Sequence, residues 1–336
     1  MRRKRSNLLS DRVGKIIIAA IALSLIISIV FIMVYFYEKG HDEFQGDGID
    51  NVGSEKTIEY NGQTYVYNDH IETFLVVGLD AFGKAVENDS YNNDRQADFL
   101  VLLLLDREKN TCQAIHINRD TLTDVPILGI TGQQVGTVNQ QISLSHTYGN
   151  GGIDSCHNVA VTVSRMMYDL PVDNYLSLTM DGIKVLNDLV GGVTVTVLDD
   201  FSGVDDTLVK GEKVTLFGDH ALNYVRSRSE LADDTNERRM VRQRQYMEAL
   251  YAKGKECAGN DSTFVVDAVS ELNEYIVSNC SVSQVDELFE RISSYKFLGI
   301  KTIEGESIMG DEYMEFHCDE EALKKMVVEL FYKPQK

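Results

Sequence analysis

Between Val225 and Gln245 the chain reads VRSRSELADDTNERRMVRQRQ, with arginines at 226, 228, 238, 239, 242 and 244 and no lysine. Beyond the first fifteen residues the chain has eleven arginines, and six of them lie here. A guanidinium group is permanently charged, and its planar fork makes two parallel hydrogen bonds to a phosphate. The stretch therefore reads as a receptor for one specific anion. On a helix Arg239, Arg242 and Gln243 share a face. Arg226 and Arg228 alternate, and in an extended segment they point the same way, offering two cations to an anion with two phosphates. Arg238 and Arg244 fall outside these sets and are expected on solvated surface.

A second group sits at the ends of apolar runs. Asp80 ends FLVVGLD, Arg95 and Asp98 precede FLVLLLLD, and Arg119-Asp120 follow AIHIN. Ligands in open α/β sheets gather beyond strand ends. Two carboxylates there, with no histidine or cysteine partner, suit Mg²⁺ or Mn²⁺ rather than zinc. Poorer candidates are GNGG (149–152), which lacks the Lys-Ser/Thr of a phosphate loop, and Ser145-His146, for which no third partner can be assigned. The seven histidines have no zinc-hydrolase spacing. Five scattered cysteines leave at least one thiol unpaired. Most read as small buried hydrophobes, and one disulfide stays open.

The elements that must position these residues follow from patterning. TIEYNGQTYVY carries Asn-Gly between alternating apolar residues, a hairpin signal. FLVVGLD, FLVLLLLD and TCQAIHIN read as strands, the first two buried on both faces. Helices are expected over 154–169, 179–190, 236–253, 262–277, 283–294 and 319–332. Asp234 and Glu237 are spaced as a capping box for the third. GGVTVTVLDD reads as a turn and a strand, and YKFLGIKTIEG as a late strand. Interleaved strands and helices give an α/β or α+β class, a mixed central sheet flanked by helices, in one domain over residues 57–336.

Residues 16–37 are 22 apolar or uncharged residues, long enough to span a bilayer. Six basic residues and one acid precede them, and acidic residues follow. The excess of positive charge places residues 1–15 in the cytoplasm and everything beyond about residue 38 outside. The run exceeds a signal-peptide core and no small-x-small cleavage site follows it, so a retained single-pass span is expected. Residues 38–56 read as a polar linker. The chain's net charge of −20 becomes −25 over residues 38–336, which excludes nonspecific nucleic-acid binding.

In order, the motifs FLVVGLD, RQADFLVLLLLD, HINRDT, YGNGG, DLVGGVTV, ALNYVRSR and ERRMVRQRQ resemble the LytR-CpsA-Psr family of Gram-positive cell-envelope enzymes. The resemblance covers about residues 57–250. It implies a phosphotransferase outside the cell membrane. Such an enzyme moves an anionic glycopolymer, a teichoic acid or capsular polysaccharide, from a polyprenyl (pyro)phosphate carrier to a muramic acid hydroxyl of peptidoglycan. Mg²⁺ assists, and the lipid tail lies in an apolar groove. Carried over by residue, Asp80 and Asp98 match the metal-associated acids and Arg119 a pyrophosphate-binding arginine, with Asp120 beside it. Arg226 and Arg228 match paired arginines, and Arg239 and Gln243 the helical arginine and glutamine. The general base is open among Asp98, Asp120 and a metal-bound hydroxide. Three positions depart from the pattern: Asn118 stands where proline is usual, Arg95 lies three residues before Asp98 instead of two, and Asn236 stands for aspartate. A hydrolase using water as acceptor and a non-catalytic receptor for lipid-linked anions are the competing readings.

Overall fold

Asn61 and Gly62 carry φ of 50° and 74°, the left-handed pair that a two-residue hairpin requires. They join β1 (Thr57–Tyr60) to β2 (Gln63–Tyr67). The computed structural model describes residues 56–88, 90–227 and 236–335. The expected cytoplasmic tail, membrane span and nearly all of the linker lie outside the described residues, as do Arg228, Asp233 and Asp234. The two longest apolar runs become β3 (Ile71–Leu79) and β4 (Ala97–Asp106), paired antiparallel, with β5 (Thr111–Ile117) antiparallel to β4. A hairpin of β6 (Leu122–Leu128) and β7 (Gln134–Gln141) follows, then a 3₁₀ turn, Ile142–Thr147, and α1 (Ile153–Met166).

The chain returns as β8 (Asn174–Leu178), parallel to β3, and enters α2 (Met180–Leu189) through a Thr179 cap. Next come the pair β9 (Val193–Thr196) and β10 (Lys213–Leu216), α3 (Asp219–Arg226), α4 (Asn236–Asn260) and α5 (Phe264–Leu272). β11 (Ile276–Ser278), α6 (Val282–Ser294) and β12 (Lys296–Thr302) lead to a hairpin of β13 (Gly305–Met309) and β14 (Met314–Cys318). α7 (Glu320–Phe331) and β15 (Tyr332–Pro334), which pairs with β2, end the fold. The central sheet is mixed, in the order β11-β8-β3-β4-β5-β12.

One face of this sheet, with Leu75, Val77, Leu100, Leu102 and Ile115, packs on α1 and α7 through Val159, Val163, Val327 and Phe331. The other face carries Phe74, Leu105 and Cys112 against Leu288 of α6. Each such buried side chain contributes about 1.5–3 kcal/mol. A third cluster, built on Val193, Phe201, Leu216, Tyr224 and Tyr246, holds β9, α3 and α4 together. The expected helix over 262–277 is shorter, because residues 276–278 leave it to pair with β8. The extended segment expected at Arg226 is corrected: Arg226 is the last residue of α3. All five cysteines are free.

Candidate active site

Asp98 owes its position to a bulge. Gly78 pairs with Phe99, and Leu79 pairs with Ala97, so Asp98 is the extra residue of β4. A bulge reverses the in-out alternation and re-aims one side chain. Ala97, Leu100 and Leu102 consequently all face the α1 core, and the carboxylate emerges at the strand end. Arg119 arrives from the turn after β5. Its guanidinium lies 2.9 Å from Asp98 Oδ1 and 3.6 Å from Asp120 Oδ1, and it donates to Gln96 and, at 3.1 Å, to Ser143 Oγ. Arg239 reaches the same carboxylate from the first turn of α4, 3.2 Å from Oδ2. The three side chains are 15%, 11% and 5% exposed for Asp98, Arg119 and Arg239. Two nearly buried guanidinium groups therefore share the two oxygens of one carboxylate. The Arg119 contact is an ion pair without hydrogen-bond alignment, which leaves Asp98 Oδ1 and Arg119 Nε buried with no hydrogen bond.

The two asparagines that break the resembling pattern meet here. Asn236 Oδ1 accepts from Arg239 Nε at 3.1 Å and from its terminal nitrogen at 2.7 Å. Asn236 Nδ2 donates to Asn118 Oδ1, which also accepts from the Asp120 backbone N–H at 3.0 Å. This amide chain ties the start of α4 to the turn after β5 and fixes Arg239. Asn236 thus contacts an arginine at the position where aspartate would, and Asp233 and Asp234 lie outside the described residues. Asp120 is buried and accepts from Gln141 at 3.1 Å.

The remaining arginines separate. Arg242, expected to face the anion, is 1% exposed and donates to the carbonyls of Tyr224 and Ser227 and to Asp199, 2.5 Å away, with the Phe201 ring 5.4 Å from its carbon. It ties α3 and α4 together and does not reach the cluster. Arg238, expected in solvent, also pairs with Asp199, at 2.5 Å. Gln243 is buried and donates to the Val225 carbonyl at 3.2 Å. Arg226 is exposed, with its guanidinium 5.5 Å from the centre of the exposed Phe82 ring. Arg95 spans the loop after β3, donating to the carbonyls of Val86 at 2.6 Å and Gly151 at 3.2 Å. Its role here is to hold that loop against the glycine turn before α1.

Asp80 is exposed, and its N–H donates to the Gln96 carbonyl at 2.9 Å, which sets it beside the start of β4. Among the described residues no group of three or more His, Cys, Asp and Glu is placed to hold a metal ion. Asp80 and the orphaned Oδ1 of Asp98 still offer oxygen donors of the right kind for a hard divalent ion that keeps water and substrate oxygens as its other ligands. Ser145 and His146 are buried and face different partners, the Ile142 carbonyl at 2.7 Å and the Arg95 carbonyl at 2.8 Å. Burial lowers His146 to about 4 and raises the neighbouring Cys156 to about 12, so neither is charged near neutrality.

Sequence reasoning missed the β13–β14 hairpin. It bears on the site: the Phe316 N–H donates to the Asp120 carbonyl at 2.8 Å, Gln141 donates to the Met314 carbonyl at 2.7 Å, and Ser307 donates to Glu237. The signal was faint, because all five residues of β13 are exposed.

Several known proteins share this architecture. A solved protein, gbs0355 of Streptococcus agalactiae, superposes with a TM-score of 0.63 at 19% identity, covering 79% of this chain and 91% of that one. TagT bound to LI-WTA superposes at 0.59 with 20% identity, covering 84% and 97%. These likenesses establish the fold. In sequence, the polyisoprenyl-teichoic acid–peptidoglycan teichoic acid transferase TagU of Bacillus cereus is 27% identical over 225 residues, 67% of this chain and 64% of that protein. The TagU of Bacillus licheniformis is 27% identical over 252 residues, 72% and 74%. The chain thus spans just under two thirds of the length of the first of these relatives. The family model for LytR_cpsA_psr matches residues 30–331, nearly the whole sequence, and the chain belongs to that family.

Proposed function

We propose that the protein transfers an anionic glycopolymer from a polyprenyl (pyro)phosphate carrier to peptidoglycan. The carrying observation is the convergence of Arg119 and Arg239 on the two oxygens of Asp98. Burying three charges costs more than the fold gains from them, so the cluster reads as preorganised for a ligand. A pyrophosphate seated at its edge takes up the guanidinium donors. An acceptor hydroxyl then attacks phosphorus, the bond to the carrier phosphate breaks, and that phosphate leaves with its charge stabilised by Arg119 and Arg239. The hydroxyl proton passes to a base at the site. Arg226, exposed on the surface, would meet the second phosphate. Asp80 and Asp98 would hold Mg²⁺ or Mn²⁺, which supplies charge neutralisation to the phosphates when bound.

Supporting this reading are the family, the teichoic acid transferase activity for which the TagU relatives are named, and the apolar run 16–37 with basic residues before it. That run would anchor the protein in the membrane with residues 57–336 outside, facing carrier lipid and wall together. Full-length protein in detergent micelles, given lipid-linked polymer and peptidoglycan, is expected to form a phosphodiester. Arg119→Ala and Arg239→Ala are each expected to lose about 10²–10³-fold in rate while staying folded. Free polymer phosphate as the sole product would make the protein a hydrolase. Carrier binding with no turnover at any metal concentration would make it a receptor.

A further inference from the structure

Beside the arginine cluster, on the other side of Asn118, lies a cavity of about 760 Å³ walled by β5, the first two turns of α4 and the β13–β14 hairpin. It is open to solvent, and Ser307 donates to Glu237 across one edge. Two features mark it as more than a fold by-product. His116 lines it, is 1% exposed, and has an Nδ1 with no hydrogen-bond partner. Arg244, expected in solvent, lines it half-buried, with Glu248 one helical turn on favouring its charge. A buried donor or acceptor left unmade costs about 1–3 kcal/mol, so the unpaired Nδ1 of His116 at this cavity implies a ligand group that satisfies it.

The lining also says what that ligand is. Glu237, Glu304, Glu306 and Asp319 line it with Arg244 as the one lysine or arginine among the described lining residues, so a phosphate or any other polyanion is repelled. Donors from Arg244, His116 and Asn118 and acceptors from the carboxylates surround an apolar floor of Met240, Val241, Ile303 and Phe316. That combination suits a sugar, whose hydroxyls each donate and accept and whose ring carbons present an apolar face. A prenyl chain would strand these polar groups. The cavity lies within the size range of pockets for small ligands, about 300–1,000 Å³, and shares Asn118 with the site.

We propose that this cavity seats a neutral, hydroxyl-rich sugar of the acceptor strand, held by Arg244, His116 and Asn118 against Glu304 and Glu306, with its reacting hydroxyl directed at Asp98 and Arg119. The assignment rests on the proposed transfer reaction. It sorts the two substrates by charge: the polyanionic donor is kept to the arginine side, and the acceptor enters on the carboxylate side.

The test uses full-length protein in detergent micelles and two variants, Arg244→Met, which keeps the apolar stem, and Glu304→Gln. Both are expected to raise KM for the acceptor glycan about tenfold or more, the worth of one lost charged hydrogen bond. KM for the lipid-linked donor, and any slow release of polymer to water, should not change. In a donor-free arm, unsubstituted peptidoglycan oligosaccharide should give saturation-transfer NMR signals with the wild type that weaken with Arg244→Met. An unchanged acceptor KM, or a rise in donor KM instead, overturns the proposal. Glycan binding by a wild-type protein that forms no phosphodiester would sink the transfer reaction and leave the cavity's ligand standing.

Discussion

Asn236 would set a carboxylate against Arg239 if it were aspartate, but it would then have no proton to give Asn118 Oδ1. Asn236→Asp is therefore expected to cost about 1–3 kcal/mol by urea unfolding, from two acceptors left facing each other. Adding Asn118→Pro removes the acceptor that demanded the amide. The double variant should recover part of the loss, a non-additivity that a double-mutant cycle measures. These two positions were visible in the sequence as departures, yet their pairing across 118 residues was not. Arg242 shows the opposite problem. Its helical spacing fits the anion-facing set, and only the carbonyls of Tyr224 and Ser227, brought in by tertiary approach, show it to be enclosed. Arg242→Met should cost about 3–5 kcal/mol by leaving Asp199 buried without its main partner. Arg226→Ala should leave stability within about 0.5 kcal/mol and raise donor KM.

The bulge in β4 turns a strand residue into a site residue, and it depends on Gly78. A Cβ there would stand 2.9 Å from Phe99 Cβ, so Gly78→Ala must push the bulged strand aside. Expected are a loss of about 1–3 kcal/mol from overpacking and slower transfer, because Asp98 moves with the strand; a falling rate with unchanged donor KM checks it. Buried strands announce themselves by apolar runs, which made β3, β4 and β5 legible. α4 is different: its buried stripe is Asn236, Arg239, Met240, Arg242, Gln243 and Tyr246. Helical period was readable there while the direction of burial was hidden, since its inner face is polar. The β6–β7 and β13–β14 hairpins have too few alternating apolar residues to stand out, and the second of them walls the cavity beside the site.

At the scale of the whole domain, two neutral histidines are held inside. Burial, with Arg244 and Arg239 nearby, lowers His116 to about 3, and burial lowers His146 to about 4. As pH falls through the ordinary histidine value of about 6.5, the unfolded chain takes up protons that the folded domain refuses. The stability these rings contribute is complete above that value and is lost progressively down to about pH 4 for His146 and about pH 3 for His116. The urea midpoint should fall over this window, and His116→Phe should flatten the slope by about one proton.

The C-terminal location of the hairpin sets a condition on timing. β12 closes one edge of the sheet, β13 and β14 wall the cavity, and β15 pairs with β2 near the start of the domain. All of them lie downstream of α6, after residue 295. Residues that gather around Asp98 are complete by the middle of α4, yet the wall beside them cannot form until the chain beyond α6 has been made. A chain stalled or clipped after α6 would carry its arginines exposed with no wall. On the proposed reading the two substrates can therefore be bound as a pair only once the segment beyond α6 has folded onto the sheet.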